Sequence, residues 1–362
     1  MSVLANSTVL WRGSDHGEGW KSRVRRTEWL DWRDSEKFSN DLRASHPTAF
    51  HVSYVLIEPM NAKLSLFLST LPLVAQAPAK IDINVDGKPF ATFNSGVDAN
   101  KPYLWPIRSA NGKIVTRRWP MEKNTGESTD HPHHRGLWFS YDEVNGYHFW
   151  GNDPSWVLKD PRIGKIVVKT VKYDERAHRL IAEFDWTAPG GKVILHENRV
   201  MTFRPGAQQR IVDVDITLIG PEKVVFGDTK EGAFAIRLAD SMTEKSHGGA
   251  MVNADGARGM KNVWGKRSNW VDYSGNIDGE KIGVAIFDAA TNPRHPTYWH
   301  ARDYGLFALN PFGQHAFDPS QPESNWTLDA GQPLRFRWRV VIHSGDAETA
   351  HIGEMYNHWR PE

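Results

Sequence analysis

Residues 81–93 alternate between apolar and polar side chains on both sides of a turn and read Ile81-Asp-Ile-Asn-Val-Asp-Gly-Lys-Pro-Phe-Ala-Thr-Phe93. An alternation of period two is typical of a half-buried β-strand, and an Asp-Gly pair between two such runs favours a tight hairpin turn. This stretch therefore predicts a β-hairpin that turns at Asp86-Gly87.

The chain beyond this hairpin continues the pattern. Short runs rich in β-branched and aromatic residues recur between Gly, Pro, Asn or Asp, and strands do not alternate with long helices. We therefore predict an all-β fold, a large two-sheet antiparallel β-sandwich. The one helix expected covers residues 347–357, and Pro189-Gly-Gly-Lys192 is interpreted as a hairpin turn rather than a phosphate-binding loop. Further strands are predicted at residues 164–173, 179–186, 192–203, 209–218, 232–238, 281–287 and 334–343.

Residues 60–79 have the features of a secretory signal peptide. A short basic start at Met60-Asn-Ala-Lys63 is followed by an apolar run to Val74 and by A-x-A endings at Ala77 and Ala79. The apolar run is far shorter than the ~20 residues needed to span a bilayer, and the alternative is a buried strand or helix. We predict cleavage after Ala79 and a periplasmic or secreted protein.

The segment before Met60 does not fit the rest of the chain. Residues 1–59 contain four tryptophans among dense charges but show no sustained period of a strand or a helix. We interpret 1–59 as a disordered upstream extension from a misassigned gene start, 60–79 as the signal peptide and 80–362 as a single β-sandwich domain. N-terminal sequencing of the exported protein tests this division.

Composition excludes several classes of function. The 44 Lys and Arg residues against 43 Asp and Glu give a net charge of +1, which disfavours nucleic-acid binding. The absence of Cys excludes disulfides, thiolate metal sites and a Cys nucleophile. Sixteen Trp and 16 His residues suit a protein that stacks on, and hydrogen-bonds to, a polar ligand such as a sugar.

The first candidate site segment is Asp130-His-Pro-His-His-Arg135. We predict that Asp130, His131 and Arg135 bind a ligand and that His133 or His134 is a general acid. If the segment is extended, His131 and His133 share one face, and His133 and His134 point in opposite directions. The alternatives are imidazoles that satisfy buried carbonyl groups, or a metal site.

The second segment, Asp228-Thr-Lys-Glu-Gly232, lies just before a predicted strand. We predict Glu231 as the general base and Lys230 as a ligand-binding residue, because a carboxylate at the start of a strand is held by the sheet. The alternative is a solvated turn.

The third segment, residues 291–315, interleaves cationic and imidazole side chains with aromatic rings. Aromatic faces stack on sugar rings while Arg and His bind hydroxyl or carboxylate groups. Single-stranded nucleic acid is the alternative ligand, which the near-neutral charge disfavours. Trp299 and Phe307 could instead belong to the core, and we expect this of Phe307. The ligand-binding residues predicted here are Arg294, His295, Trp299, His300, Arg302, Asp303 and His315.

No metal and no cofactor are expected. The opposed directions of His133 and His134, the absence of an H-E-x-x-H motif and the neighbouring arginines disfavour a divalent cation. We therefore predict an activity that survives chelation. Elemental analysis of the purified protein tests this.

Several of these motifs together resemble a bacterial family known as PmoA, over roughly residues 80–359. The name refers to methane oxidation, which we reject because the chain after residue 79 has no apolar run long enough to span a membrane. The motifs are Lys101-Pro-Tyr103, Val115-Thr-Arg-Arg-Trp-Pro-Met121, Asp130-His-Pro-His-His-Arg-Gly-Leu-Trp138, Asp228-Thr-Lys-Glu-Gly232, Trp270-Val-Asp-Tyr-Ser-Gly275 and Asn292-Pro-Arg-His-Pro-Thr-Tyr-Trp-His-Ala-Arg-Asp-Tyr-Gly305.

The resemblance implies a β-sandwich related to the galactose-mutarotase-like supersandwich and a carbohydrate substrate, a small sugar or a glycan. The leading hypothesis is an epimerase, lyase or hydrolase that works by His/Glu acid–base chemistry on a sugar or an oxidised sugar. The alternatives are a non-catalytic carbohydrate-binding module and a structural protein of the cell envelope. The site hypothesis expects His134, Glu231 and His300 to lie within about 10 Å of each other in one pocket.

Overall fold

A computed structural model of the chain describes residues 78–156 and 160–361. The predictions for residues 1–59 and for most of 60–79 lie outside the described residues. Strands dominate the described part, and its two α-helices are short. The elements are β1 Lys80–Val85, β2 Lys88–Asn94, β3 Tyr103–Ile107, β4 Leu137–Tyr141, β5 Glu143–Val144, β6 Tyr147–His148, β7 Lys165–Asp174, β8 Arg179–Thr187, β9 Val193–Arg204, β10 Gln209–Ile219, β11 Val224–Phe226, β12 Gly232–Arg237, β13 Gly249–Asn253, α1 Met260–Val263, β14 Trp270–Ile277, β15 Glu280–Asp288, β16 Tyr298–Ala301, β17 Leu306–Asn310, β18 Trp326–Leu328, β19 Pro333–Ser344 and α2 Ile352–His358.

The strands form two large antiparallel sheets and one small one. The first large sheet has seven strands in the order β1-β2-β3-β4-β12-β17-β16, and the second has eight in the order β13-β14-β15-β19-β10-β9-β8-β7. A four-stranded sheet, β18-β11-β5-β6, completes the described part. No described helix is long and apolar enough to cross a membrane.

The two large sheets pack face to face through aromatic side chains. Trp338 on β19 stacks on Phe234 of β12 with 4.7 Å between ring centroids and lies 5.7 Å from Phe139 of β4. Buried and half-buried residues alternate along β10, so that one face of this strand points into the core and the other points outward. The predicted all-β fold with two large antiparallel sheets is confirmed.

The first hairpin forms at its predicted place. Val85 pairs with Lys88, and the two turn residues Asp86 and Gly87 have φ values of 52° and 70°. Two consecutive positive φ angles match the right-handed twist of a hairpin, and Asp and Gly tolerate this conformation well. Gly190 and Gly191 also have positive φ and join β8 to β9, as predicted.

All the strands predicted after this hairpin are present, with ends that differ by one residue at most. The C-terminal helix is shorter than expected and begins at Ile352. The segment 291–315, predicted as a loop, contains strands β16 and β17. Its apolar run at Leu306–Asn310 is buried on every side and therefore shows no alternation that would mark a strand.

Candidate functional site

The candidate site lies on the outer face of the seven-stranded sheet. Ala235 on β12 pairs with Trp138 on β4 and with Ala308 on β17, and their side chains point away from the main core into a second apolar cluster. Because Ala235 and Ala308 are small, the large rings of Trp138 and Trp150 pack above the sheet. This second cluster is the floor of the site.

The three histidines of the first segment are gathered by a turn. The backbone N–H of His134 donates to the carbonyl oxygen of His131 at 3.0 Å, and His131 has a φ of 45°. The His134 ring stacks on that of His131 at 4.7 Å and meets the His133 ring edge-on at 4.3 Å. The prediction that His133 and His134 point in opposite directions is wrong, because the segment is a turn and not an extended strand.

These rings form the wall of an open cleft of about 520 Å³, which we call the imidazole cleft. Trp156 contacts His133 at 4.8 Å, and Tyr304 stacks on His131 at 5.3 Å. The cleft is lined by His131, His133, His134, Asp142, Trp150, Gly151, Trp156, Lys230, Glu231, His300, Arg302 and Tyr304.

Two fully buried arginines lie behind the histidines. Arg117, from the loop after β3, and Arg237, at the end of β12, both donate to the same oxygen of Asp130, at 2.6 and 2.8 Å. Burial raises the pKa of Asp130, but the two guanidinium groups outweigh it and lower the pKa overall. Asp130 therefore holds two cations in place, a positioning role rather than the ligand contact predicted for it.

Arg237 also determines which ring nitrogen of His134 carries the proton. One terminal nitrogen of Arg237 lies 3.2 Å from Nδ1 of His134. A guanidinium only donates, so Nδ1 accepts and the proton of the neutral ring is on Nε2. Among the described residues Nε2 has no partner, so this N–H is left to the cleft.

Three histidines of the cleft, His133, His134 and His300, are buried and neutral at pH 7. Burial and nearby positive charges lower the pKa of His133 and His134 well below its usual range, and they lower that of His300 to about 3. A neutral imidazole donates a hydrogen bond but does not supply a proton as an acid of pKa near 7 does. The lowered pKa values favour a neutral hydrogen-bonding group at both positions, and the general-acid role of His133 or His134 stays a prediction.

Glu231 stands at the predicted place, directly before β12. Its carboxylate lies 3.3 Å from Nζ of Lys230 and is about one third exposed. Both side chains line the imidazole cleft. Asp142, on the same wall, accepts a hydrogen bond from His148 at 2.8 Å. Glu231 is thus a carboxylate that a ligand can reach.

Lys101 is a buried cation at the edge of the floor. Its Nζ donates to the carbonyl oxygen of Trp150 at 2.9 Å and to the side chain of Asn152 at 2.8 Å. Burial, followed by the charge of Arg135, lowers the pKa of Lys101 well below its usual range. These bonds position the segment that supplies Trp150 and Trp156 to the cleft.

The third segment contributes two of its predicted residues to the cleft, His300 and Arg302. The guanidinium of Arg302 lies 5.8 Å from the ring centre of Tyr304 and 5.9 Å from that of Trp264. Its Nε is buried and has no hydrogen-bond partner within the part of the chain that the structure describes.

Other predicted residues of this segment have structural contacts instead. Trp299 is fully buried in the main core and donates to the carbonyl oxygen of Ser268, so its predicted stacking on a sugar is wrong. Arg294 donates to backbone carbonyls, one of them that of Phe312 at 3.0 Å. His295 pairs with buried Asp288 at 2.8 Å. Phe307 is buried, as expected.

Three more predicted residues do not line the cleft. Arg135 forms an ion pair with Asp153 at 3.0 Å, next to the site. His315 contacts the carbonyl oxygen of Gln321 at 2.6 Å. The backbone carbonyl of Asp303 accepts a hydrogen bond from Tyr273. The contacts of these residues stabilise the loops around the site.

Six residues important to this site are not among those predicted: Lys101, Arg117, Trp150, Trp156, Arg237 and Tyr304. Lys101, Arg117 and Tyr304 lie in motifs that carry the family resemblance, and these motifs were the available signal. Arg237 sits in a buried strand, where neighbouring residues give no sign of a polar partner.

No group of three or more His or acidic side chains in the described residues is placed to hold a metal ion. The expectation of a metal-independent activity stays a prediction.

A family profile described as "Family of unknown function (DUF6807)" matches residues 80–357, and the chain belongs to this family. The resemblance to the PmoA family stays a prediction. Among curated proteins, no sequence matches the chain.

Several solved structures share a limited likeness with the chain. A variant of the GH36 α-galactosidase AgaA from Geobacillus stearothermophilus is 10% identical with a TM-score of 0.37, covering 74% of this chain and 40% of the enzyme. A galactose mutarotase related enzyme from Lactobacillus acidophilus is 9% identical with a TM-score of 0.39, and the match covers 73% of this chain and 97% of that enzyme. A galactose mutarotase-like protein from Clostridium acetobutylicum is 10% identical with a TM-score of 0.30, and the match covers 74% of this chain and 98% of that protein. The chain thus spans less than half of the galactosidase, and scores this low carry no conclusion about substrate or mechanism.

Proposed function

We propose that this protein acts on a carbohydrate bound in the imidazole cleft. The observation that carries the proposal is that three segments far apart in the sequence meet there, bringing His134, Glu231 and Arg302 to one cavity. Its volume of about 520 Å³ suits a monosaccharide or the end of a glycan. Trp156 and Tyr304 supply ring faces, and the polar groups supply hydrogen bonds to hydroxyl oxygens.

The protonation states define what each group can do. Glu231 is a partly exposed carboxylate of the cleft and accepts a proton from the bound sugar. The Nε2–H of neutral His134 donates a hydrogen bond to a substrate oxygen on which negative charge develops. Burial raises the pKa of Tyr304, so its phenol stays protonated and is a second donor. This division of roles suits an epimerase, a lyase or a hydrolase.

Calorimetric titration of the protein with a panel of neutral and acidic sugars tests the proposal. We expect at least one sugar to bind with a micromolar to millimolar dissociation constant, and NMR to show its conversion. If no sugar in the panel binds, the carbohydrate proposal fails.

A non-catalytic carbohydrate-binding module is the second candidate, and one observation favours it. The pKa values of His133, His134 and His300 are all lowered, so these groups do not exchange protons near pH 7. Glu231→Gln separates the two functions because it removes the proton acceptor and keeps the shape. Loss of turnover with unchanged affinity supports an enzyme, whereas a wild-type protein that converts no bound sugar supports a binding module.

We also propose that the protein is exported to the periplasm or secreted. The basic start, apolar run and A-x-A endings of residues 60–79 support this. N-terminal sequencing of protein from the periplasm or the medium should find a mature end near Lys80, and a mature end upstream of Ala75 would contradict it.

A further inference from the structure

Arg302 is the cation of the imidazole cleft that has no carboxylate partner among the described residues. Lys230 pairs with Glu231, Arg135 with Asp153, and Arg117 and Arg237 share Asp130. The contacts of its guanidinium are with the ring faces of Trp264 and Tyr304, and its charge also acts on His300. The buried Nε atoms of Arg117 and Arg237 also lack an acceptor, but the terminal nitrogens of these two residues bind Asp130. No nitrogen of the Arg302 guanidinium has a hydrogen-bond partner among the described residues, and this requires an explanation.

The aromatic neighbours restrict the position of this guanidinium. The rings of Tyr304 and Trp264 limit the rotation of the guanidinium. Arg302 is also the first residue after strand β16, in the short connection to β17. The backbone N–H of Arg302 donates to Leu306 at 2.7 Å, and that of Gly305 donates back to Arg302 at 3.1 Å. A positioned, planar donor group of this kind is suited to a carboxylate, which it binds through two parallel hydrogen bonds.

Two buried positive charges lie behind the histidines of the cleft. Arg117 and Arg237 share the carboxylate of Asp130, and Asp240 also acts on Arg117. The same positive charges lower the pKa of His133 and His134, which shows that they act on the inside of the cleft. These buried charges favour an anionic ligand group, whereas Asp142 and Glu231 on the cleft wall oppose it, so the preference depends on the direct contact with Arg302.

We propose that the substrate is a sugar that carries a carboxylate, such as a uronic acid, and that Arg302 is the specificity-determining residue that binds this carboxylate. The inference rests on the proposed carbohydrate function and deepens it. A phosphorylated sugar fits the site less well, because a phosphate dianion is usually held by several cationic donors, and Arg302 is the one cation of the cleft without a carboxylate partner among the described residues.

Matched pairs of sugars test the inference on the wild-type protein. Galactose and galacturonate, and glucose and glucuronate, are titrated by calorimetry at pH 7.5 and low salt. We expect each uronate to bind about tenfold to a hundredfold more tightly than its neutral partner, the usual range for a charge-assisted hydrogen-bonded pair. Raising the ionic strength should reduce this preference and leave the affinity for the neutral sugar unchanged.

Arg302→Gln should remove most of the preference, because it should lower the affinity for the uronate far more than the affinity for the neutral sugar. Arg176→Gln, on the exposed turn between β7 and β8, is the matched control and should leave both affinities unchanged. If the Arg302→Gln protein does not fold, the wild-type comparison decides by itself.

The outcomes separate the two proposals. Equal affinity for the neutral and carboxylated partners would overturn the inference and leave the carbohydrate function standing. Tighter binding of galactose 6-phosphate or glucose 6-phosphate than of either uronate would also overturn it, in favour of a phosphate ligand. If neither member of any pair binds, the carbohydrate function fails and the inference fails with it.

Discussion

His134 and His343 are both almost completely buried, 1% and 2% exposed, but their neighbours move their pKa values in opposite directions. His134, above the seven-stranded sheet, receives a hydrogen bond from the guanidinium of Arg237. His343, on β19 of the eight-stranded sheet, has its Nε2 at 2.6 Å from a carboxylate oxygen of Asp272. Burial by itself would lower the pKa of His343, but Asp272 outweighs it and raises the pKa.

The difference shows that burial does not define the role of a histidine; the charge of its partner does. An imidazole beside a cation is held neutral and keeps one N–H for a ligand, whereas one beside a carboxylate is held charged and belongs to an ion pair. Asp272 also accepts a hydrogen bond from Ser274, and His343 contacts the backbone carbonyl of Ser344. The hydrogen bonds of this pair are therefore made to residues of the same sheet. We therefore expect changes at the two histidines to affect different properties.

The largest effect is expected for His134→Ala. Loss of the Nε2–H donor should lower kcat/KM for the bound sugar by about 10²–10³-fold, as for other groups that stabilise developing negative charge. His196→Ala, which changes a half-exposed histidine on the eight-stranded sheet, should keep the wild-type rate. Steady-state kinetics checks both variants, with circular dichroism to verify folding. An unchanged rate in His134→Ala would remove His134 from the mechanism.

Asp272→Asn tests the second histidine, His343, by removing the charge of its partner. Removing one charge of a buried ion pair leaves the other uncompensated and should lower the free energy of unfolding by about 3 kcal/mol. Urea denaturation at pH 6 measures this, with Asp329→Asn at an exposed loop position as the control. Sugar affinity of the folded protein should not change, because Asp272 lies in the other sheet. A stability equal to that of the wild type would mean that the pair is not charged.

The two kinds of histidine should also respond to pH with opposite signs. His300, with its pKa lowered to about 3, is neutral when folded and binds a proton near pH 6.5 when unfolded. Its contribution to stability therefore falls as the pH decreases below about 6.5. The raised pKa of His343 has the reverse effect: the stability from its pair is complete below about pH 6.5 and is lost as the pH rises through the folded-state pKa.

His300→Gln isolates the first of these contributions. Between pH 6.5 and 5.0 the wild type should lose about 1.6 kcal/mol more than this variant, because the slope rises from about half of 1.4 kcal/mol per pH unit at pH 6.5 to nearly the full value at pH 5.0. Urea denaturation of both proteins at the two pH values measures the difference. Parallel pH dependence in the two proteins would show that His300 titrates normally.

The smallest effect concerns the aromatic residues. Trp156→Ala should weaken sugar binding about fivefold, or by about 1 kcal/mol, because its ring is on the cleft wall. Trp299→Phe should lower the stability without changing the affinity, because Trp299 is in the core. Calorimetric titration and urea denaturation of both variants measure these effects. Weaker sugar binding by Trp299→Phe, with unchanged binding by Trp156→Ala, would support the predicted stacking role of Trp299.

The strands that the sequence predicts well are those with one face outward. β8 and β10 alternate between buried and more exposed residues, and this period is readable in the sequence. β4, β12 and β17 are buried on both faces, because the segments that form the site cover the outer face of their sheet. Continuous apolar runs of this kind do not show a period, and one of these three strands, β17, was not predicted.

The same contrast applies to the site. Seven of the predicted residues line the cleft, since clusters of His, Arg and Glu in short segments are visible in the sequence. Arg237 lies more than 100 residues from Asp130 and His134, the two groups that it contacts. A pairing over that distance depends on which strands are neighbours, and no local pattern contains this information.

The sequence by itself determined the hairpins, the all-β class and the residue types available for chemistry, because turns and alternation are local properties of the chain. Only the tertiary structure decided which of those residues meet and in what protonation state. Trp299 lies in the core, and the three histidines of the first segment line one cleft. The pKa of a buried group follows from desolvation and from the charges around it in space, and these are set by the packing of distant strands.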